Sequence, residues 1–359
     1  MTLILILSLL FLIVTALIQN AIKNLFNQPR TEFQPRYKFS IIVAAKNEEN
    51  NLSQLINSLK NQAYPENLFE VIIVNDNSTD NTFEKGNELT SGLNNFAIYK
   101  VEEKKYPGKK GALQFGIEKS NNPFILITDA DCLPGKNWIK SFSNKFELEY
   151  DFIFGPAPFI QANSFINNIS CFENLRASLL TLTAAKAGFP YSAAARNFGF
   201  RKSSFEELGG YSNTVETLSG DDDLLLREAI KNKLKIGIAV ENESLVLSST
   251  VESFTGYLKQ KARHTTTSFH YLLIHKILLG VWHLLNILML LSPALMIFDS
   301  KFLIIFLLKL AGDLNVVLTT QRYFGYRFNF MEIFIQQVIY ELMLIVNFFN
   351  AEFKKTEWK

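Results

Sequence analysis

The sequence predicts an α/β domain with a mostly parallel β-sheet, flanked by transmembrane helices. Two observations lead to this fold class. Long uncharged stretches stand at both ends of the 359-residue chain, and short β-rich runs alternate with helical patterns between them. The composition agrees, because 48% hydrophobic residues supply a full core and exclude a disordered chain.

Charge and cysteine content exclude several classes of protein. The 36 Lys and Arg residues nearly balance the 34 Asp and Glu residues, so we expect no nucleic-acid partner. The two cysteines, Cys132 and Cys171, are too few for a disulfide framework or a thiolate metal site. A reducing compartment is the simpler interpretation.

An N-terminal transmembrane anchor is predicted at residues 1–22. This stretch contains no charged side chain, and about 20 apolar residues suffice to cross a bilayer. By the positive-inside tendency, basic residues after the stretch hold the following domain in the cytoplasm. These basic residues are Lys23, Arg30, Arg36 and Lys38. A cleaved signal peptide or a buried helix is the alternative.

A C-terminal membrane block of two or three helices is predicted at residues 277–349. Ile277–Phe298 is uncharged and long enough to span the bilayer. Phe302–Thr319 is interrupted by Lys309 and Asp313, which stand four residues apart and would pair on one helix face.

The end of this block leaves two alternatives open. Met331–Phe349 carries two Glu and two Gln residues, so it either spans or lies in the interface as an amphipathic helix. A third span would place Lys354 and Lys355, in the tail 350–359, outside, against the positive-inside tendency. Residues 251–276 mix basic and apolar side chains, which is typical of interfacial helices on the cytoplasmic membrane surface.

Residues 36–250 are predicted to form the α/β domain. Apolar runs separated by helical patterns indicate buried parallel strands. The runs are Phe39–Ala44, Val71–Val74, Ala97–Val101 and Phe124–Ile127. Ligands of such sheets bind beyond the carboxyl ends of the strands, so the polar residues that follow each strand form the candidate site.

Polar and acidic residues follow three of these strands. They are Lys46–Glu49 after the first strand, Asn75–Asp80 after the second and Asp129–Asp131 after the fourth. Each run alone is also ordinary helix-cap chemistry. Three runs projected to one edge of one sheet favour a binding site.

Asp129 and Asp131 form the most informative pair. Alternation along an extended segment places both carboxylates on one side, where they suit Mg²⁺ or Mn²⁺ with a bound diphosphate. A solvated pair in a turn is the alternative. Gly108–Gly111 adds a weak phosphate signal, a lysine and free backbone N–H groups at a helix start. The chain contains no Walker-type loop.

Together these blocks resemble those of family 2 glycosyltransferases, whose GT-A fold is Rossmann-like. The similarity runs in order from Phe39 to His264. The matching blocks are Ile41–Glu49, Val74–Asp80, Gly108–Leu113, Asp129–Asp131, Ser219–Leu224 and Gln260–His264.

The resemblance implies how the donor is bound. Asn47, Glu48 and Asp76 would hold the nucleoside, usually uridine, and Lys109 would touch the nucleotide or its phosphates. The reaction of this family is a direct displacement at the anomeric carbon with inversion, which leaves a nucleoside diphosphate.

The resemblance also implies a metal site and a base. Asp129 and Asp131 match the DxD pair, which contacts ribose and the divalent metal. Asp221 aligns with the general base that takes the proton from the acceptor hydroxyl. Gln260 and Arg263 would lie near the diphosphate and the acceptor entrance.

The sequence departs from the family pattern at two places. The acidic block reads Gly-Asp-Asp-Asp rather than Thr-Glu-Asp, so Asp222 and Asp223 are alternative bases, and all three also suit a helix N-terminus. His264 replaces a Trp that shapes the acceptor site, which argues against processive polymer synthesis. A further basic group, Arg196, Arg201 and Lys202, would receive an anionic lipid headgroup or lie on a solvated surface.

The sequence therefore predicts a multi-pass protein of the cytoplasmic membrane with a cytosolic catalytic domain. It would transfer a sugar from a nucleotide sugar to a membrane lipid. The resemblance implies a UDP-linked donor, which is usual in the family. The layout of the chain is similar to that of ceramide glucosyltransferases. A polysaccharide synthase is the first alternative. A non-catalytic membrane protein that binds sugar nucleotides is the second.

Overall fold

The computed structural model describes residues 2–28, 34–241 and 243–353, and the chain divides into two compact units. The sheet unit consists of Pro29–Ile160 and Gly188–Ser249, and the helical unit of Met1–Gln28, Gln161–Ala187 and Thr250–Lys354.

The strands are β1 Phe39–Ala45, β2 Phe69–Asn75, β3 Phe96–Lys100, β4 Phe124–Asp129, β5 Cys132–Pro134, β6 Phe152–Phe154, β7 Phe198–Arg201, β8 Ile236–Ile238 and β9 Val246–Ser248. The α-helices are α1 Thr2–Phe26, α2 Leu52–Lys60, α3 Thr82–Thr90, α4 Lys109–Lys119, α5 Trp138–Phe146, α6 Phe165–Lys186, α7 Lys202–Glu207, α8 Asp223–Lys231, α9 Phe254–Ser268, α10 Leu273–Leu291, α11 Phe302–Thr320 and α12 Phe330–Phe353.

The sheet unit contains the predicted mostly parallel sheet. Seven of the described strands pair in the order β3-β2-β1-β4-β7-β6-β8, and β3, β2, β1 and β4 are parallel to one another. The four predicted strands are all present in this parallel half. β7 is antiparallel to both β4 and β6, and β5 pairs with β9 outside the main sheet.

The register brings the three polar runs to one edge. Ala45 at the end of β1 lies opposite Asn75 at the end of β2, and Ala44 lies opposite Asp129 at the end of β4. β1 lies between β2 and β4 and is almost wholly buried, so packing on both faces of the sheet fixes its register. The hydrophobic core therefore fixes the position of the candidate site.

Helix α4 packs unusually close to the sheet. A Cβ added at Gly116 would lie 2.6 Å from Ile42 Cγ2 and 3.1 Å from Val74 Cγ2. Only glycine permits this approach, because real Cβ atoms do not come so near to other carbons. The close contact sets the position of the helix start, which carries Lys109.

Among its described residues, the helical unit contains four helices that are long and apolar enough to cross a membrane. They cover Ile6–Phe26, Leu273–Ile297, Phe302–Phe324 and Phe330–Phe353. These helices fit the predicted anchor and C-terminal block, while the number of passes and the orientation stay predictions. Of the basic residues used to predict the orientation, Arg30, Lys354 and Lys355 lie outside the described residues.

Helix α6 belongs to the helical unit, although the predicted domain 36–250 includes it. Its buried Arg176 forms an ion pair of 2.8 Å with Asp313 of α11, and its Asn174 accepts a hydrogen bond of 2.9 Å from the hydroxyl of Tyr326. The sequence of this helix mixes polar and apolar residues and has no long apolar run, so it does not predict a membrane helix.

A buried charge cluster lies inside the helical unit. Lys309 contacts Asp313 one helical turn away, as predicted, and also forms an ion pair of 3.2 Å with Glu341 of α12. Gln336 and Gln337 of α12 are buried as well. The polar residues in the middle of α12 are therefore enclosed by the helical unit, which favours a helix within the bundle over one that lies flat in the interface.

We expect Asp313→Ala to destabilise the helical unit strongly. The change leaves Arg176 and Lys309 buried without their shared carboxylate, a loss that typically costs about 3–5 kcal/mol. Thermal unfolding in detergent measures the effect. Glu147→Ala, which removes an exposed ion pair with Arg36, is the matched control and should cost at most about 1 kcal/mol. Equal effects of the two changes would contradict the structural importance of the cluster.

Candidate active site

The first polar run forms a tight turn after β1. Asn47 has a φ of 57°, in the left-handed region that asparagine tolerates better than most residues. Its side-chain Oδ1 accepts a hydrogen bond of 2.8 Å from the backbone N–H of Thr79, and its own N–H donates to Ser78 Oγ at 3.0 Å. Asn47 thus ties the first polar run to the second.

Glu48 continues this link between the two runs. Its backbone N–H donates to Thr82 Oγ1 at 2.7 Å, and its buried carboxylate accepts a hydrogen bond of 2.6 Å from Asn51 Nδ2. Asn47 and Glu48 therefore order the loop at the edge of the sheet.

Asp76 directly follows β2 and is buried, and its two carboxylate oxygens have different surroundings. Its Oδ1 accepts a hydrogen bond of 2.7 Å from Lys104 Nζ. No described residue hydrogen-bonds Asp76 Oδ2 or the neighbouring Asn75 Oδ1, although both atoms are buried. A buried acceptor without a donor is costly, so these atoms suit a ligand that supplies N–H or O–H groups.

Sequence reasoning missed Lys104. It lies in a run of four charged residues, 102–105, which reads as an ordinary solvated loop. Lys104 Nζ bridges Asp76 and the carbonyl oxygen of Gly108. The contact depends on Gly111, because a Cβ there would collide with the carbonyl oxygen of Tyr106 and with the Lys104 side chain.

Lys109 joins Asp129, at the end of β4, to the acidic block. Its ammonium lies 2.6 Å from Asp129 Oδ1 and 2.7 Å from Asp221 Oδ2, and the residue is 7% exposed. Burial lowers the pKa of Lys109, but the two carboxylates raise it by more, so its pKa lies above the ordinary value. The side chain is therefore a fixed positive charge between two carboxylates.

Asp129 and Asp131 fit a hard divalent cation. Their carboxylates and the Cys132 thiol have ligand atoms within 4.8 Å of one another, and Asp131 is exposed. Burial, reinforced by Asp129 and Asp131, raises the pKa of the Cys132 thiol well above its ordinary value. Oxygen ligands with open access suit Mg²⁺ or Mn²⁺, which keep several of their waters.

The three aspartates of the acidic block have different environments. Asp222 Oδ2 accepts a hydrogen bond of 2.6 Å from the N–H of Ala195, and its Oδ1 caps α8 by accepting one of 2.7 Å from the N–H of Asp223. Asp223 Oδ1 accepts one of 2.9 Å from the N–H of Ala193. Asp221 is instead directed at Lys109. Asp222 and Asp223 thus hold the loop before β7.

Burial also shifts the pKa of two groups, one in this block and one next to it. It raises the pKa of Asp222 well above the ordinary value, with Asp223 and Asp221 adding to the effect. It lowers the pKa of Lys110, which donates hydrogen bonds to the carbonyl oxygens of Thr214 and Thr217. Lys110 thus anchors the segment that leads into the acidic block.

The basic residues proposed for a lipid headgroup are engaged within the sheet unit. Arg201 donates to the carbonyl oxygens of Tyr150 and Phe146, and Lys202 Nζ donates to the carbonyl oxygen of Ser120. Arg196 lies over the ring of Phe159. These contacts favour structural roles for Arg201 and Lys202.

Gln260 and Arg263 lie on α9 in the helical unit, whereas the other predicted site residues belong to the sheet unit. Tyr257 of the same helix donates a hydrogen bond of 2.5 Å to Glu173 of α6, and Lys261 forms an ion pair of 3.3 Å with that glutamate. These contacts fix α9 against its neighbours, and the roles of Gln260 and Arg263 stay predictions.

Comparison with known proteins finds a family that part of the chain resembles. Residues 40–209 match the family described as glycosyl transferase family 2. Over these residues the chain is similar to family 2 glycosyltransferases. Its sheet order and this match confirm the predicted GT-A fold and enzyme class. No curated protein sequence matches the chain.

Solved structures with a similar fold extend over nearly the whole chain. The mannosyltransferase PcManGT from Pyrobaculum calidifontis, in complex with GDP-Man and Mn²⁺, is 17% identical with a TM-score of 0.55 over 96% of this chain and 97% of that one. TarS 1–349 from S. aureus, in complex with UDP-GlcNAc, is 17% identical with a TM-score of 0.47 over 88% of this chain and 90% of that one.

We expect Asp222→Ala to lower the stability of the glycosyltransferase domain by about 1–2 kcal/mol. The change removes the helix cap and leaves the N–H of Ala195 without its acceptor. Thermal unfolding measures the loss, and Asp222→Asn, which retains an acceptor oxygen, should recover part of it. Unchanged stability in Asp222→Ala would refute the structural role of this side chain.

Proposed function

We propose that this glycosyltransferase moves a sugar, with inversion, from a UDP-linked donor to a membrane lipid on the cytoplasmic face. The observation that carries the proposal is the pair of ion contacts made by Lys109. They hold Asp129, a donor-side residue, and Asp221, the proposed base, at one site. Donor binding and acceptor activation would thus share one location.

The nucleoside would bind at the ends of β1 and β2. Asp76 Oδ2 is a buried acceptor free for an N–H of the base, and Asn47 and Glu48 order the adjoining loop. Lys104 beside Asp76 would donate to a carbonyl oxygen of the base. A donor next to an acceptor complements the adjacent C=O and N–H groups of uracil.

Asp129 and Asp131 would hold a divalent metal, Mg²⁺ or Mn²⁺. Such an ion supplies positive charge that neutralises the leaving nucleoside diphosphate. Lys109, at the N-terminus of α4, adds a fixed positive charge beside the same site.

Asp221 is the best placed of the three aspartates to act as general base. Asp222 and Asp223 each accept backbone hydrogen bonds, whereas Asp221 points at Lys109 and its charge is compensated there. Asp221 would accept the proton of the acceptor hydroxyl while the acceptor oxygen bonds to the anomeric carbon and the bond to the diphosphate breaks.

A lipid acceptor is supported by the four apolar helices that accompany the domain. An enzyme attached to a membrane can take a soluble donor from water and a lipid from the bilayer. A polysaccharide synthase is less consistent with His264 at the position of the family's Trp. A protein that only binds sugar nucleotides would not need a base such as Asp221 beside Asp129.

We expect Asp221→Asn to retain donor binding and lose transfer by at least about 100-fold, because the amide cannot accept the proton. Binding of UDP with Mn²⁺ and turnover are measured on the same preparations, with Asp222→Asn as the matched control that keeps most activity. If Asp221→Asn abolishes donor binding, or transfers as well as the wild type, the assignment of the base is wrong.

The acceptor is tested by following a labelled sugar in the detergent-purified protein. UDP- and GDP-linked donors are both included, since a neighbour with this fold binds GDP-Man with Mn²⁺. We expect the label in the lipid fraction, and only when metal and lipid extract are present. Label in a high-mass carbohydrate would establish the polysaccharide synthase instead. No transfer from any donor would refute the proposed function.

A further inference from the structure

We propose that Lys109 couples donor loading to the availability of the base. In this role the Lys109 ammonium stays paired with Asp221 until a donor binds with its metal at Asp129. The bound donor then offers the ammonium a different anionic partner. Lys109 is then a positioning residue, and the inference rests on the proposed function. It starts from the observation that one buried ammonium contacts both carboxylates at 2.6 and 2.7 Å.

The position of Lys109 is fixed by the backbone. Gly108, with a φ of 67°, turns the chain into α4, and Gly116 brings that helix against the sheet. Asp129 ends a core strand, and Asp221 directly precedes the aspartates that hold the loop before β7. The backbone positions of the three residues are therefore fixed, while the flexible four-carbon side chain of Lys109 can still reorient.

Lys109 and a metal ion would compete for Asp129. Asp129 Oδ1 already contacts the ammonium, and the same carboxylate belongs to the metal-ligand group with Asp131. Two positive charges that share one carboxylate repel each other. Metal binding therefore weakens the contact between Lys109 and Asp129.

The same competition extends to Asp221. One of its oxygens is occupied by the ammonium, so an acceptor hydroxyl has to displace Lys109 to use that oxygen. The oxygens of a donor diphosphate, bound near the start of α4, offer Lys109 a new anionic partner. Donor loading then draws Lys109 away from Asp221 and frees the base, which favours binding of the donor before the acceptor.

A purely structural role for Lys109 makes the opposite prediction about metal binding. If the ion pairs only hold the site in shape, Lys109→Met disorders Asp129 and weakens metal binding. If Lys109 competes with the metal, its removal tightens metal binding. The expected gain is about tenfold, the size of the Coulomb repulsion between a unit charge and a divalent ion roughly 6 Å apart in water.

The experiment is a Mn²⁺ titration of the detergent-purified full chain without nucleotide, followed by the EPR signal of free Mn²⁺. Lys109→Met should bind Mn²⁺ about tenfold more tightly than the wild type, and Lys109→Arg, which keeps the charge, should stay near the wild type. Unchanged or weaker binding by Lys109→Met would overturn the proposal. So would a wild type that binds no Mn²⁺.

A second comparison guards against misfolding. Lys109→Met leaves Asp129 and Asp221 without their cation, so the double variant Lys109→Met/Asp221→Asn is compared with Asp221→Asn alone. The double variant should bind Mn²⁺ more tightly than the single variant, and equal or weaker binding would again overturn the proposal. These titrations need neither donor nor acceptor, so they decide the role of Lys109 even if no sugar is transferred.

Discussion

The site depends on the buried ammonium of Lys109, which joins two carboxylates from distant parts of the chain. Without this charge, Asp129 and Asp221 would be two partly buried anions with no common partner, an arrangement that costs several kcal/mol per ion. With it, the edge of the sheet and the acidic block before α8 form one site. In the proposed function, this one interaction would both hold the site together and place donor and acceptor chemistry side by side.

Core packing determines where this interaction forms. The register of β1 with β2 and β4 aligns Asn75 and Asp129, and the close approach of Gly116 to Ile42 sets the start of α4. Hydrogen bonds from the N–H groups of the loop before β7 to Asp222 and Asp223 fix the acidic block. The polar residues of the site therefore occupy positions that apolar contacts and backbone hydrogen bonds have already defined.

Strand periodicity was enough to predict the parallel half of the sheet and the alignment of its polar strand ends. Helical spacing was enough to predict the pairing of Lys309 with Asp313. Other features depend on contacts that no local pattern encodes. Lys104 is indistinguishable from its charged neighbours until the fold brings it to Asp76, and α6 lacks the apolar run that would mark it as part of the helical unit. The three aspartates 221–223 are equivalent in sequence, and only their hydrogen-bond partners separate them.

The most direct test of the account is a structure of the full chain with UDP and Mn²⁺, in which anomalous scattering locates the metal. We expect the metal peak between Asp129 and Asp131, the base against Asp76, and Lys109 shifted from Asp221 towards the diphosphate. A metal or nucleotide bound away from this edge of the sheet would contradict the account.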